Sequence, residues 1–153
     1  MGEPITKKRL EAYRGLYMTV EDYNDRIAQM KSEEQFPEIR AGDGSQHQPG
    51  TGDRLERAVI RRMEYEEKMA PSINAVRAEM KAIEDAVNAM DNPYERLVIQ
   101  LRFLEGDGSF RLMKWRDVAL RLYRDDDFKD LRAAQRLCDK ALESITRQEK
   151  SHR

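Results

Sequence analysis

The sequence predicts an all-α protein in which a long helical arm precedes a three-helix unit. Apolar side chains recur at steps of three and four residues along most of the chain, and no segment shows the strict alternation of a strand. Charged residues make up 37% of the chain and hydrophobic residues 39%, a low ratio of core to surface that helices with a single apolar stripe would give. Aromatic residues are only 7%, which disfavours a sandwich or barrel.

The predicted arm covers residues 1–90. Apolar residues between positions 5 and 34 follow the a and d spacing of a heptad, and the same steps run from Met69 to Met90. Pro71 lies inside this second pattern, so we expect a kink or a restart of the helix near Ala70. Stripes of this kind favour self-association into a homo-oligomer, and the side chains that we expect to mediate it are Leu16, Val20, Ile27, Ile73, Val76, Ile83 and Val87.

A linker is predicted at residues 36–53, between the two helices of the arm. This segment holds four of the eight glycines and two of the five prolines of the chain, with polar residues between them. A segment of this composition has little apolar surface to bury, so we interpret it as flexible.

Residues 91–153 form the predicted three-helix unit. Asn92 is suited to cap a helix that has Pro93 at its first position, and Gly106 is suited to end it. Two further helices are predicted by apolar residues from Trp115 to Leu122 and from Leu131 to Ile145. The acidic stretch Asp125–Asp127 separates them.

Three strings within this unit resemble region four of sigma factors. They are Asn92-Pro93-Tyr94-Glu95-Arg96-Leu97-Val98-Ile99-Gln100-Leu101-Arg102-Phe103-Leu104-Glu105-Gly106, Trp115-Arg116-Asp117-Val118-Ala119 and Arg136-Leu137-Cys138-Asp139-Lys140-Ala141-Leu142. With a helical arm in front, the arrangement is similar to small phage-encoded transcriptional regulators of the RinA and ArpU type. The resemblance implies a helix-turn-helix that binds double-stranded DNA, and RNA polymerase as a possible partner. The chain departs from the pattern at the turn, where the family has a glycine and a serine and this sequence has Arg124–Phe128.

The last predicted helix carries the candidate base-reading residues Arg132, Gln135 and Arg136. Arginine can bond guanine edges and glutamine can bond adenine edges in the major groove. Phosphate contacts are expected from Lys114, Arg116, Arg121 and Lys140. The alternative for the same charges is a solvated helix face supported by pairs with Asp139 and Glu143.

Other classes of function find little support in the residues. The two histidines, His47 and His152, are far apart in sequence, and no motif for a phosphate loop or an activated nucleophile is present. We therefore expect no enzyme activity, no catalytic residue, no metal and no cofactor. The single cysteine, Cys138, cannot form a disulfide within the chain, and no apolar run approaches the length of a membrane span. These features favour a cytoplasmic protein without a membrane partner.

The sequence thus predicts a phage or prophage transcriptional regulator that binds DNA and self-associates. Of the two directions of regulation, we favour activation of phage genes. Two alternatives remain open. One is a DNA-packaging recognition subunit resembling a small terminase, and the other is a protein-interaction module that does not bind DNA. The net charge of −1 means that any binding to DNA must be local to one face.

Overall fold

The computed structural model of the protein describes residues 3–35 and 51–151. These residues form helices and connecting turns without any strand, which confirms the predicted all-α class. The helices are α1 (Lys7–Gln35), α2 (Thr51–Asn88), α3 (Pro93–Ile99), α4 (Trp115–Tyr123) and α5 (Phe128–Ser151). A π-helical segment, Gln100–Glu105, continues α3.

The chain divides into two compact units. Unit 1 combines Met1–Thr19 with Val76–Arg153, and unit 2 is Val20–Ala75. The predicted boundary at residue 91 therefore differs from the observed division, because the first turns of α1 and the last turns of α2 pack with the three C-terminal helices.

All five helices supply side chains to the core of unit 1. The apolar residues that are almost completely buried there include Leu10, Tyr13, Ile83, Val87, Val98, Ile99, Leu101, Phe103, Val118, Ala134, Cys138, Ala141 and Ile145. Ile5, ahead of α1, is buried in the same cluster, and its carbonyl oxygen accepts a hydrogen bond of 3.1 Å from the Thr146 hydroxyl of α5. The N-terminal residues are thus an integral part of this core.

Polar contacts also join α1 to the rest of unit 1. Arg9 pairs with Glu79 of α2, and the Tyr13 hydroxyl donates to Glu84. Burial, together with the neighbouring Glu84 carboxylate, raises the pKa of Tyr13 well above its usual value. The tyrosine therefore stays a neutral donor across the physiological range.

Arg14 of α1 is a buried arginine, only 6% exposed, that ties the loop after α3 to α1. Its Nε donates to the Ser109 carbonyl oxygen at 2.6 Å, and a terminal guanidinium nitrogen donates to the Leu104 carbonyl oxygen at 3.0 Å. Gly106 lies against it with φ +60°, and an added Cβ there would stand 2.5 Å from the Arg111 carbonyl oxygen. A glycine is required at this position both for the backbone angle and for the close approach.

The start of α3 follows the prediction. The Asn92 side chain accepts hydrogen bonds from the backbone N–H groups of Tyr94 and Glu95, and Pro93 occupies the first turn. Leu97, expected on the apolar face, is instead 39% exposed, because the helix turns Val98 and Ile99 into the core.

Unit 2 contains the remaining parts of α1 and α2, which lie side by side. The Tyr23 and Tyr65 rings stack with centroids 5.9 Å apart, and Arg62 donates to Glu34 at 2.6 Å. Contacts with Glu34 and Glu66 raise the pKa of Arg62, which stays charged. The two helices of the arm are therefore partners within one chain.

Several predictions about the arm need correction. Ile83 and Val87 have no exposed surface, and Ile73 is 2% exposed, so these side chains are covered within the monomer and are not available for self-association. α2 is continuous through Pro71, so the helix does not restart near Ala70, and the kink named as the other expectation stays a prediction. Residues 36–50 of the predicted linker lie outside the described residues, whereas residues 51–53 already belong to α2.

Candidate nucleic-acid interface

The α4–α5 pair is joined by a tight turn that uses an unusual residue. Arg124 ends α4 with φ 60° and ψ 23°, the left-handed conformation, and its N–H bonds the Leu120 carbonyl oxygen at 2.9 Å. Glycine most often fills such a position, because a Cβ disfavours it. Arg124 thus adopts a left-handed conformation between the two helices, and α5 returns to pack against both α3 and α4.

The three acids of the turn have separate structural roles. The Asp125 carboxylate accepts the N–H of Asp126 at 2.8 Å and that of Asp127 at 3.3 Å. Asp127 accepts the N–H of Asp130 at 2.9 Å, as an N-cap of α5 does, and Asp126 pairs with Arg116. Turn formation therefore accounts for the three acids that stand immediately before α5.

Carboxylate oxygens of Asp125, Asp127 and Asp130 lie within 4.8 Å of one another. Desolvation, and then the charge of Asp127, raise the pKa of Asp130. Their spacing would allow a shared cation, yet the hydrogen bonds of the turn explain their positions, and we assign them no metal role.

One side of α5 packs into the core and the other carries cations. Ala134, Cys138, Ala141 and Ile145 form the buried side. The opposite side presents Lys129, Arg132, Arg136 and Lys140, separated by three, four and four residues. At about 100° per residue these four cations fall within an arc of roughly 80°, centred opposite the core.

The predicted base-reading residues all lie on exposed surface of α5. Arg132, Gln135 and Arg136 are each exposed, and the Arg132 guanidinium lies 4.9 Å from the centre of the Phe128 ring. Within the described part of the chain, Arg132 and Arg136 form no salt bridge. Asp139 and Glu143 share this side of the helix, and Glu143 is paired with Arg147 at 3.4 Å.

The four predicted phosphate contacts fall into two groups. Lys114, which precedes α4, and Lys140 of α5 are exposed and form no salt bridge with a described carboxylate. Arg116 and Arg121 of α4 are exposed but bond Asp126 at 2.7 Å and Glu105 at 2.9 Å. Exposed pairs of this kind contribute only ~0–1 kcal/mol, so a phosphate could replace the carboxylate at small cost.

Comparison with protein-family models, with curated proteins and with solved structures yields no match to this chain. None of the helices in the described ranges has the length and apolar character that spanning a bilayer requires.

Two residues of this face, Lys129 and Phe128, were not predicted from the sequence. Both precede Leu131, where the apolar pattern of the last helix was expected to begin, whereas α5 begins at Phe128. The missed signal was Asp127, which is a good N-cap residue immediately before the helix. Placing the start there would have added Lys129 to the cationic stripe.

Other conspicuous residues of unit 1 serve the fold. The Arg102 guanidinium lies 4.2 Å from the centre of the Trp115 ring and donates to the Met113 carbonyl oxygen, while burial lowers its pKa. Burial also raises the pKa of the Cys138 thiol to about 11, so the thiol stays protonated at neutral pH. Neither residue has the exposed, reactive character of a catalytic group.

Proposed function

We propose that this protein binds double-stranded DNA through a helix-turn-helix formed by α4 and α5. The observation that carries the proposal is the stripe of four cations on α5, which lies opposite the core and forms no salt bridge with a described carboxylate. Charges arranged along one helix face match the way in which a recognition helix presents itself to the major groove.

Each part of the face has a task in this arrangement. Arg132, Gln135 and Arg136 read base edges, and Lys129 and Lys140 neutralise phosphates on either side of the groove. α4 lies across the DNA backbone. There Lys114 binds a phosphate directly, and Arg116 and Arg121 exchange their carboxylate partners for phosphates. The acids of the turn limit binding to unrelated DNA by lowering the local positive potential.

The biological role we propose is regulation of phage or prophage transcription. The resemblance to sigma region four and to RinA- and ArpU-type regulators supports this role, with RNA polymerase as a second partner. Self-association through unit 2 would bring two such faces into one assembly. Exposed apolar side chains of α2 support this self-association, because apolar surface of this kind favours a partner. Leu55 is 44%, Ile60 46% and Met63 57% exposed.

A second candidate is a protein-interaction module without DNA binding. A surface depression lined by three acids, by Met113 and Leu120, and by Arg121 favours it. Arg121 is paired with Glu105, and the other two acids, Asp107 and Asp117, suit a basic peptide. Hydrogen bonds from Ser109 lower the pKa of Asp107 and keep this carboxylate charged. A DNA-packaging subunit would use the same cationic face, and a ring-sized oligomer on DNA would favour it over a dimer at a promoter.

The test is a binding titration on a duplex selected from a randomised library by the full chain. Arg136→Ala should weaken binding to the selected duplex by about 1–3 kcal/mol and relax sequence preference at one position. The matched control is Arg61→Ala, which removes the same charge from an exposed position of α2 in unit 2. An equal effect of the two variants, or a chain that selects no duplex, contradicts the proposal.

A further inference from the structure

Phe128 is a large apolar side chain that the fold does not use. It is the first residue of α5 and is 71% exposed, although the same helix buries four smaller residues on its other side. Its ring carries the Arg132 guanidinium, one helical turn further along, at 4.9 Å from the ring centre. An aromatic ring and an arginine thus form a stacked pair at the start of the proposed recognition helix.

Stacking changes what these two side chains can do. A guanidinium held over a ring loses part of its rotational freedom before it meets a ligand, which reduces the entropic cost of a directed contact. The pair also leaves the apolar ring beside the planar donor. This combination of an apolar surface and a two-pronged donor differs from a phosphate contact, for which a charge alone is sufficient.

We infer that Phe128 and Arg132 together read a TpG step, with the ring against the thymine methyl group and the guanidinium on the neighbouring guanine. This inference rests on the proposed function. Phenylalanine contacts the thymine methyl in the major groove, and arginine bonds guanine O6 and N7. A ring and a guanidinium in contact suit two adjacent base pairs. Of the two orders in which thymine and guanine can be neighbours, TpG is the pyrimidine–purine step, which adapts its shape more easily.

The experiment uses the full chain and the duplex that it selects from a randomised library. The selected sequences should share a TpG step, which is CpA on the other strand. Replacing the thymine of that step by deoxyuridine removes only the methyl group and should weaken binding of the wild type about three- to five-fold, as expected for one buried methyl. Replacing the guanine by 7-deazaguanine should also weaken binding, because N7 is lost.

Phe128→Ala should bind the thymine and deoxyuridine duplexes equally and keep its preference for guanine. The matched control is Phe110→Ala, because Phe110 is also exposed and carries the Arg111 guanidinium at 5.5 Å, but lies in the loop before α4. That variant should retain the preference for thymine.

Two results would overturn the inference and leave DNA binding intact. One is a selected sequence without a TpG step, and the other is equal affinity of the wild type for the thymine and deoxyuridine duplexes. A chain that selects no duplex at all overturns the proposed function and the inference together. The deoxyuridine comparison needs no variant, so it remains decisive even if Phe128→Ala folds poorly.

Discussion

Arg14 shows how one buried residue can position a distant loop. Its guanidinium bonds two carbonyl oxygens of the segment between α3 and α4, and its stem lies against Gly106. In the sequence it is one of three arginines on a charged helix, and no local pattern marks it as buried. Its partners lie about 90 residues away, which explains why helix periodicity could not find it.

Arg14→Met keeps the aliphatic stem and removes the donors. We expect the free energy of unfolding to fall by about 2–3 kcal/mol, since two partly buried carbonyl oxygens lose a charged partner. Urea denaturation followed by circular dichroism measures it, with Lys8→Met on the exposed side of α1 as the control. Equal stability of the two variants would show that water satisfies those carbonyls.

Arg124 illustrates a turn that sequence reasoning marked as a departure but could not resolve. Its left-handed φ of 60° costs an arginine about 1 kcal/mol relative to glycine. Arg124→Gly should therefore raise the thermal midpoint by a few degrees, as measured by calorimetry. Arg121→Gly, within α4, should lower the midpoint, because glycine weakens a helix interior. A lower midpoint for Arg124→Gly would mean that the arginine side chain stabilises the turn.

At the scale of whole helices, periodicity predicted the helices but not the partners of the apolar stripes. The spacing predicted that α1 to α5 are helices and predicted most of their length, because a 3.6-residue repeat is a local feature of the sequence. Which surface covers a stripe depends on the tertiary fold. The last turns of α2 pack against α1 and the C-terminal helices, so the heptad there was wrongly interpreted as an oligomer seam.

Two aspartate substitutions on α2 can distinguish a stripe buried in the core from a stripe that is free for self-association. Ile83→Asp places a carboxylate in the core of unit 1 and should unfold that unit, because a buried unpaired charge costs several kcal/mol. Ile60→Asp lies at a position that is 46% exposed and should leave the fold intact. If unit 2 mediates self-association, sedimentation should show that Ile60→Asp lowers the mass of the assembly. A folded Ile83→Asp protein would contradict the described core.

For the molecule as a whole, the exposed cations of α5 could be predicted better than the unit that carries them. The stripe Arg132, Arg136 and Lys140 is visible at helical spacing, and the structure places all three on the exposed side of α5. The contribution of residues 1–19 could not be predicted, because no sequence feature links Ile5 or Leu10 to helices more than 80 residues away. Long-range packing of this kind is decided by shape complementarity, which a single sequence does not display.

Because segments outside residues 91–153 supply part of the core of unit 1, we predict that residues 91–153 do not fold alone. A fragment of those residues lacks Ile5, Leu10, Tyr13, Ile83 and Val87 of the core, and its remaining apolar surface would be exposed. We expect weak amide protection in hydrogen exchange. Amide protection should recover when the fragment is extended to include residues 76–90 and a peptide of residues 1–19 is added. Full protection of the isolated fragment would show that the predicted domain boundary at residue 91 is an independent folding boundary.

In the proposed function, α5 is the surface that meets DNA. Backbone amide shifts of the full chain, recorded by nuclear magnetic resonance during titration with the selected duplex, locate that surface residue by residue. We predict the largest changes from Phe128 to Lys140, smaller ones in α4, and loss of all of them at high salt. Changes confined to the depression around Glu105 and Asp117, with α5 unaffected, would contradict the account.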